Sequence, residues 1–209
     1  MTKTNNDLAQ LMTSRSSVRK FDPDFQIPRE ELKEMIELAK TAPSSSNVQS
    51  WRFLIVDDKE QKKALRAAAF GQEQVETSSA VYVVVGDLTM DKNIEKIYND
   101  NVELGYMPRE VADASITSTK GMYDSFDQAT RLNIAHFDTG LITMQLLLLA
   151  KERGYGSGPM AGFDKAQVAQ LFNLKENEFP VLLIVVGKEI GTAYGTSRLA
   201  FDEIAHFTS

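Results

Sequence analysis

Hydrophobic positions along this chain recur with the period of a helix in some stretches and fill whole runs in others. In "PREELKEMIELAKTA" Leu32, Met35, Ile36 and Ala39 recur at three- and four-residue spacing, which predicts a helix with one buried face. Pro28 and the acidic pair Glu30 and Glu31 suit its first turn, and Pro43 closes it. "NNDLAQLMTSR" predicts a shorter helix before it, with Asn6 or Asp7 as the cap. "WRFLIV" then reads as a strand and "KEQKKALRAAAF" as the helix that follows. "AVYVVVGD" and "FPVLLIVVG" are unbroken apolar runs rich in β-branched residues, the pattern of strands buried on both faces. Residues 92–125 are polar and weakly periodic, and predict helix interrupted at "GYMP"; "DKAQVAQLFNL" predicts another amphipathic helix.

"DQATRLNIAHFDTGLITMQLLLLAKERG" predicts a long, largely apolar helix that Gly154 ends. A helix apolar on most sides needs burial on most sides. Two arrangements satisfy it: the centre of the chain's own core, or a second copy of the chain. Three clear strands among many helices predict a helix-rich α+β layer fold, in a single domain spanning 1–209.

Composition removes several classes of function. The chain is 43% hydrophobic and 25% charged, the balance of a soluble globular domain. A net charge of −6 argues against nucleic acid or an anionic membrane as partner. The absence of cysteine excludes disulfides and thiol chemistry, and His136 and His206 fit no metal-ligand spacing. The N-terminus has no apolar stretch of signal-peptide type, and the run "LITMQLLLLA" is about half a bilayer span, so a cytoplasmic protein is expected.

Familiar catalytic motifs are missing too. Neither G-x-x-x-x-G-K-[ST] nor G-x-S-x-G occurs, and "GYGSGPMAG" lacks the G-x-G-x-x-G spacing and follows a predicted helix instead of a strand. Asp57 and Asp58 are adjacent carboxylates at a strand end, where a solvated turn accounts for them. With so little reactive chemistry in its own side chains, an enzyme of this sequence takes its chemistry from a cofactor.

Four polar segments are suited to holding one. "SRSSVRKF" places Arg15, Ser16, Ser17 and Arg19 at the end of the first helix, as a phosphate-binding cluster or as a solvated helix terminus. "PSSSNVQSW" offers hydroxyls, amides and backbone N–H groups to a heterocycle edge, or else to its own backbone. "GSGPMAGF" lets backbone approach something flat, or is a plain connecting loop. "GTSRL" adds a late arginine.

In this order the segments resemble the nitroreductase family of FMN-dependent NAD(P)H oxidoreductases. The resemblance rests on R-x-S-x-R-x-F, A-P-S-S-x-N-x-Q-x-W, P-M-x-G-F-D and x-S-R-L, and runs from about Leu11 to Phe201. It implies an intertwined homodimer with nitroreductase-like helical layers around a small central sheet and FMN at the subunit interface. Arg15, Ser16, Ser17 and Arg19 would grip the flavin phosphate and ribityl chain, with Arg198 at the phosphate. Pro43, Ser44 and Ser45 would meet the isoalloxazine ring from the partner subunit, Asn47 would follow them in the cofactor-binding motif, and Trp51 would anchor that loop in the core. Gln72 falls where relatives carry an amide near the flavin. Ala161 and Gly162, behind Pro159 and Met160, would offer backbone N–H groups near N5 of the ring. Residues 105–126 would cover the flavin face, with Tyr106, Tyr123 and Phe126 as candidates for stacking on a substrate.

The implied reaction passes electrons from NADPH or NADH to a nitroaromatic, quinone or flavin acceptor by a ping-pong mechanism. The same motifs suit a flavin-binding sensor or carrier, or another flavin reaction on the same fold: dehalogenation, azoline oxidation or flavin cleavage. The chain departs from the family pattern at Ser16, Ser50, Ala161 and Thr196. An arginine or histidine, a proline, a glutamate and a lysine, respectively, occur at these places in relatives.

Overall fold

The computed structural model describes residues 4–191 and 193–208. In chain order the elements are α1 (Thr4–Ser14), α2 (Arg29–Ala39), β1 (Trp51–Val56), α3 (Lys59–Ala68), α4 (Glu73–Thr77) and β2 (Ala80–Asp87). Then follow α5 (Ile94–Glu103), α6 (Arg109–Asp124), α7 (Gln128–Glu152), β3 (Gly156–Met160), α8 (Lys165–Leu171), β4 (Glu178–Gly187) and α9 (Phe201–Ile204). The α+β expectation holds, with one strand more than the sequence pattern predicts. β3 is the glycine-rich stretch that reads as a loop, and its backbone becomes a strand by pairing with β4.

The sheet is antiparallel throughout, in the order β1-β2-β4-β3. The two continuous apolar runs are its central strands, because only there do both faces need covering. Along β2, Val81, Val83 and Val85 face one core, shared with Leu65 of α3, Val168 of α8 and Leu183 and Val185 of β4. Tyr82 and Val84 alternate to the other face, against Leu32 and Met35 of α2, Ile142 and Leu146 of α7, and Trp51. Trp51 thus roots the serine loop in the core at the start of β1. A third cluster of Val48, Met90, Ile94, Tyr123 and Ala135 joins α5, α6 and α7 beside the sheet.

Local chemistry sets the boundaries. Asp58 caps α3 by accepting from the Gln61 N–H, and Asp57 pairs with Arg29, so the adjacent carboxylates serve the turn and the surface. Gly154 has a φ of 81° just past α7, the left-handed stop that a glycine permits. α1 is already helical at Thr4, ahead of both expected caps.

α7 resolves the two burials open to it. Ala135, Asp138, Ile142, Leu146 and Ala150 form its buried face on the chain's own sheet and helices. Phe137 and Met144 lie on the opposite face and are exposed, Phe137 by 65%, and Leu132 is exposed near the start of the helix. By length and composition the helix could cross a membrane, yet one face is the centre of a layered core. Past β4 the chain runs out along the surface, where Tyr194, Leu199, Phe201, Ile204 and Phe207 are all exposed.

Candidate functional site

The arginine segment and the glycine-rich strand meet first. Ser17 and Ser157 form a parallel bridge, and the Val18 N–H donates to the Ser157 carbonyl at 2.9 Å. The glycines of β3 explain how close the approach is. A Cβ at Gly158 would stand 2.7 Å from the Val18 oxygen, and one at Gly156 would stand 3.0 Å from a Val18 methyl. These two glycines answer to Val18, not to a flat ligand. Arg15 and Ser16 line a narrow crevice with Lys151, Tyr155, Ser157 and Glu189. The Arg15 and Arg19 side chains have no hydrogen-bond or ion-pair partner among the described residues. Lys151, in the last turn of α7, is a cation that sequence reasoning missed; its presence in an apolar helix gave no signal.

Beyond β3 the backbone becomes available. Ala161 and Gly162 are exposed, and their N–H groups meet no backbone acceptor among the described residues. Gln72, at the start of α4, donates through Nε2 to the Gly162 carbonyl at 2.7 Å and to the Ala69 carbonyl at 3.1 Å. Its placement beside this loop follows from that pair of bonds. Pro159 is exposed, whereas the Met160 side chain is buried in the first core.

The serine loop is built differently, by a carboxylate. Asp138, 0% exposed, accepts through Oδ1 from the Ser45 N–H (2.9 Å) and the Ser45 hydroxyl (3.0 Å), and through Oδ2 from the Ser50 hydroxyl (3.0 Å). Ser50, which stands where proline is common in the resembled family, is therefore a donor to this acid. Tyr123 donates to the Ser45 carbonyl at 3.2 Å and Asn93 to the Val48 carbonyl at 2.8 Å. These anchors hold Ser46, Asn47 and Gln49 at φ of 49°, 55° and 51°, a left-handed conformation costing roughly 1 kcal/mol or more for each L residue. Ser44 and Ser45 are half-buried, and Pro43 and Asn47 are exposed. Asp138 was hidden from sequence reasoning inside an apolar helix, 93 residues from Ser45.

The other expected residues separate. Tyr123 is 1% exposed, packed against Phe126 with ring centroids 5.1 Å apart, and burial raises its phenol pKa. Its ring belongs to the core of one chain and its hydroxyl to the serine loop. Phe126 is partly buried in the same cluster, and Tyr106 is 74% exposed between α5 and α6. Arg198 donates only to Thr196 and Ser197, inside its own exposed segment.

Within one chain the two halves of the expected site lie apart. The serine loop leads into β1 at one edge of the sheet, and the glycine-rich strand β3 is the other edge. Three strand spacings separate those edges, about 14 Å.

A layered α+β chain thus carries an arginine segment on a glycine-rich edge strand and a clamped serine loop at the opposite edge of the sheet. The description "Nitroreductase family" matches residues 12–188, and the chain belongs to that family. YdgI of Bacillus subtilis (strain 168), assigned by its name to the NAD(P)H nitroreductases, is 42% identical over 99% of this chain and 100% of its own length. A Staphylococcus epidermidis structure assigned as an NAD(P)H:FMN oxidoreductase superposes with a TM-score of 0.94 at 35% identity, covering 97% of this chain and 96% of that one. An Exiguobacterium sibiricum structure, assigned as a nitroreductase and solved in complex with FMN, has a TM-score of 0.93 at 38% identity, with both chains fully covered.

Proposed function

We propose that the protein is an FMN-dependent oxidoreductase that takes electrons from NADPH or NADH and passes them to a nitroaromatic, quinone or flavin acceptor. One observation carries the reading: donors without partners among the described residues are strung along a single edge of the sheet. The Ser17–Ser157 bridge ties the segment holding Arg15 and Arg19 to β3, whose end presents the free N–H groups of Ala161 and Gly162 beside Gln72.

That donor set fits FMN. Guanidinium groups without partners suit a phosphate, and backbone N–H groups with no side chain in the way suit the edge of a planar ring. Arg15, Ser16, Ser17 and Arg19 would hold the phosphate end, with Arg198 joining them. Pro159, Met160, Ala161 and Gly162 would border the ring. FMN supplies the two-electron chemistry that none of these side chains offers. The chain's own work is to bind and orient, to present fixed donors where negative charge gathers, and to keep one open face that donor and acceptor occupy in turn.

The site is completed in a homodimer. The serine loop, with Pro43, Ser44, Ser45 and Asn47, lies at the sheet edge away from β3, so it serves the partner's cofactor more readily than its own. The outward stripe of α7 and the exposed apolar side chains beyond β4 are the surface such a partner covers. Residues 105–126 would border the open face, with Tyr106 as the exposed aromatic group free to reach a substrate. A net charge of −6 suits a cytoplasmic enzyme with small-molecule partners and neither nucleic acid nor membrane.

Denaturing the purified protein should release FMN. Anaerobic addition of NADPH or NADH should bleach the flavin without any acceptor present, and initial-rate plots should be parallel. No chromophore even after added FMN, or FAD in its place, overturns the flavin reading. Bound FMN that neither nicotinamide bleaches leaves a sensor or carrier.

A further inference from the structure

Among the described residues the helices α5 and α6 pack chiefly on each other and are held at their root. Met90 and Ile94, where the chain enters the pair, and Tyr123, where it leaves, belong to the apolar cluster beneath it. Cross-links make the two helices one body: Lys120 donates to Glu95 at 2.8 Å, and Arg109 to Asn99 at 2.6 Å. At the far end the chain turns at Gly105, with a φ of 74°, and Leu104, Tyr106 and Val111 are exposed around that turn. Such a pair is a lever. The 10 residues of α5, at 1.5 Å each, make an arm of about 15 Å, so a tilt of about 10° at the root carries the tip about 3 Å.

One side chain spans the root. Arg131, in the second turn of α7, donates through Nη1 to the Leu88 carbonyl (3.0 Å) and to Asp91 Oδ1, both on the entering chain. Through Nη2 it donates to the Tyr123 carbonyl (2.7 Å), on the leaving chain. Its side chain is 18% exposed, so these charged bonds form largely out of water, where they are stronger. α7 is packed on the sheet, and the guanidinium therefore fastens both ends of the lever to the core. The planar fork is what permits this; a lysine has the charge but only one nitrogen to share between the two sides.

We infer that Arg131 is a positioning residue that sets where the tip of the α5–α6 pair stands over the open face, and through it the fit of the acceptor. This rests on the proposal that residues 105–126 border that face. An acceptor meeting the tip feels the tilt directly, since misplacement by about 1 Å costs up to about a hundredfold in rate. FMN feels it little. Arg15, Arg19 and the Ala161–Gly162 loop lie along the β3 edge, and the serine loop keeps its three bonds to Asp138.

The test is steady-state oxidation of NADPH or NADH by the FMN-saturated enzyme, with 2-methyl-1,4-naphthoquinone and 4-nitrobenzoate as acceptors. FMN dissociation constants and melting temperatures are measured beside it. Arg131→Ala should raise the acceptor KM about tenfold, while kcat and the FMN dissociation constant change by less than about twofold. Arg131→Lys should raise KM about as much as the alanine, for want of the fork. Asp91→Asn should stay within about twofold of the wild type, because its side-chain oxygen still accepts from Nη1. In a Tyr106→Ala background the further rise caused by Arg131→Ala should shrink to about twofold, because the ring being placed is gone. A loss of stability alone lowers the active fraction, and hence kcat, and leaves KM and that coupling unmoved.

An acceptor KM unchanged in both Arg131→Ala and Arg131→Lys overturns the inference, as does a tenfold rise that persists without the Tyr106 ring. A loss of FMN affinity as large as the rise in KM also overturns it, since the whole site is then disturbed. If Arg131→Ala fails to fold, Arg131→Lys decides, because it keeps the charge opposite Asp91. If the wild type holds no FMN, or turns over neither acceptor with either nicotinamide, the oxidoreductase reading fails and this inference with it. If the wild type turns over and the variants match it, the positioning argument alone is wrong.

Discussion

Replacing Gly158 with alanine tests what seats the arginine segment on β3. The new Cβ would lie 2.7 Å from the Val18 carbonyl oxygen and 3.2 Å from a Val185 methyl, and the first of these is backbone that cannot turn aside. The segment must therefore lift from the strand, breaking the Val18–Ser157 hydrogen bond and the Ser17–Ser157 bridge. Loss of one buried hydrogen bond costs about 1 kcal/mol, and overpacking beside Val185 adds about 1–3 kcal/mol. A destabilisation of about 2–4 kcal/mol corresponds to a fall of roughly 4–16 °C in melting temperature for a chain of this size. FMN affinity should fall with it, because Arg15 and Arg19 ride on the displaced segment. Gly162→Ala is the control: its Cβ would meet only the Gln72 amide at 3.8 Å, an ordinary contact, so its stability should change by less than about 0.5 kcal/mol. Urea unfolding at fixed protein concentration, with and without FMN, measures both. Gly158→Ala that unfolds at the wild-type midpoint and keeps its FMN would show that this approach does not position the phosphate ligands.

Three further outcomes are expected. Arg15→Ala and Arg198→Ala should each weaken FMN binding by about 1.5–3 kcal/mol while leaving riboflavin binding unchanged; equal losses for both ligands would place the residues away from a phosphate. Burial alone would raise the Asp87 carboxyl, but bonds from Lys92, Thr89 and Asn177 bring it from an ordinary 3.8 down to about 2. A folded pKa below the unfolded one stabilises above about pH 4 and loses that contribution as pH falls toward 2, here roughly 2 kcal/mol. Urea midpoints between pH 5 and pH 2.5 should therefore fall more steeply for the wild type than for Asp87→Asn, and parallel curves would refute the assignment. Sedimentation should give about twice the 23.3 kDa chain mass, and truncation after Ile190 should weaken the dimer; a wild-type monomer that retains FMN would refute the composite site.

Local pattern alone determined a large part of this protein. β2 and β4 were legible because a strand covered on both faces must be apolar at every position, and α2 because one buried face leaves a 3.6-residue imprint. The four polar segments were legible as an ordered set, because short hydroxyl, amide and glycine stretches stand out between such elements.

What only the tertiary structure decided depends on distant partners. β3 carries almost no strand signal, since Gly156, Ser157, Gly158 and Pro159 offer the pleat little side chain; pairing with β4 makes it a strand, and the nearness of Val18 requires the glycines. Tyr123 and Tyr106 look alike as sequence, yet one is sealed under the serine loop and the other stands in solvent, a difference set by the packing of α6 on α5. Asp138 is the plainest case. In the chain it is one acid in an apolar helix, and its meaning appears only where folding brings it against the donors of Ser45 and Ser50. A buried carboxylate is tolerable there because those donors satisfy it, and a hydrogen-bond partner 88 or 93 residues away leaves no periodic trace in the sequence.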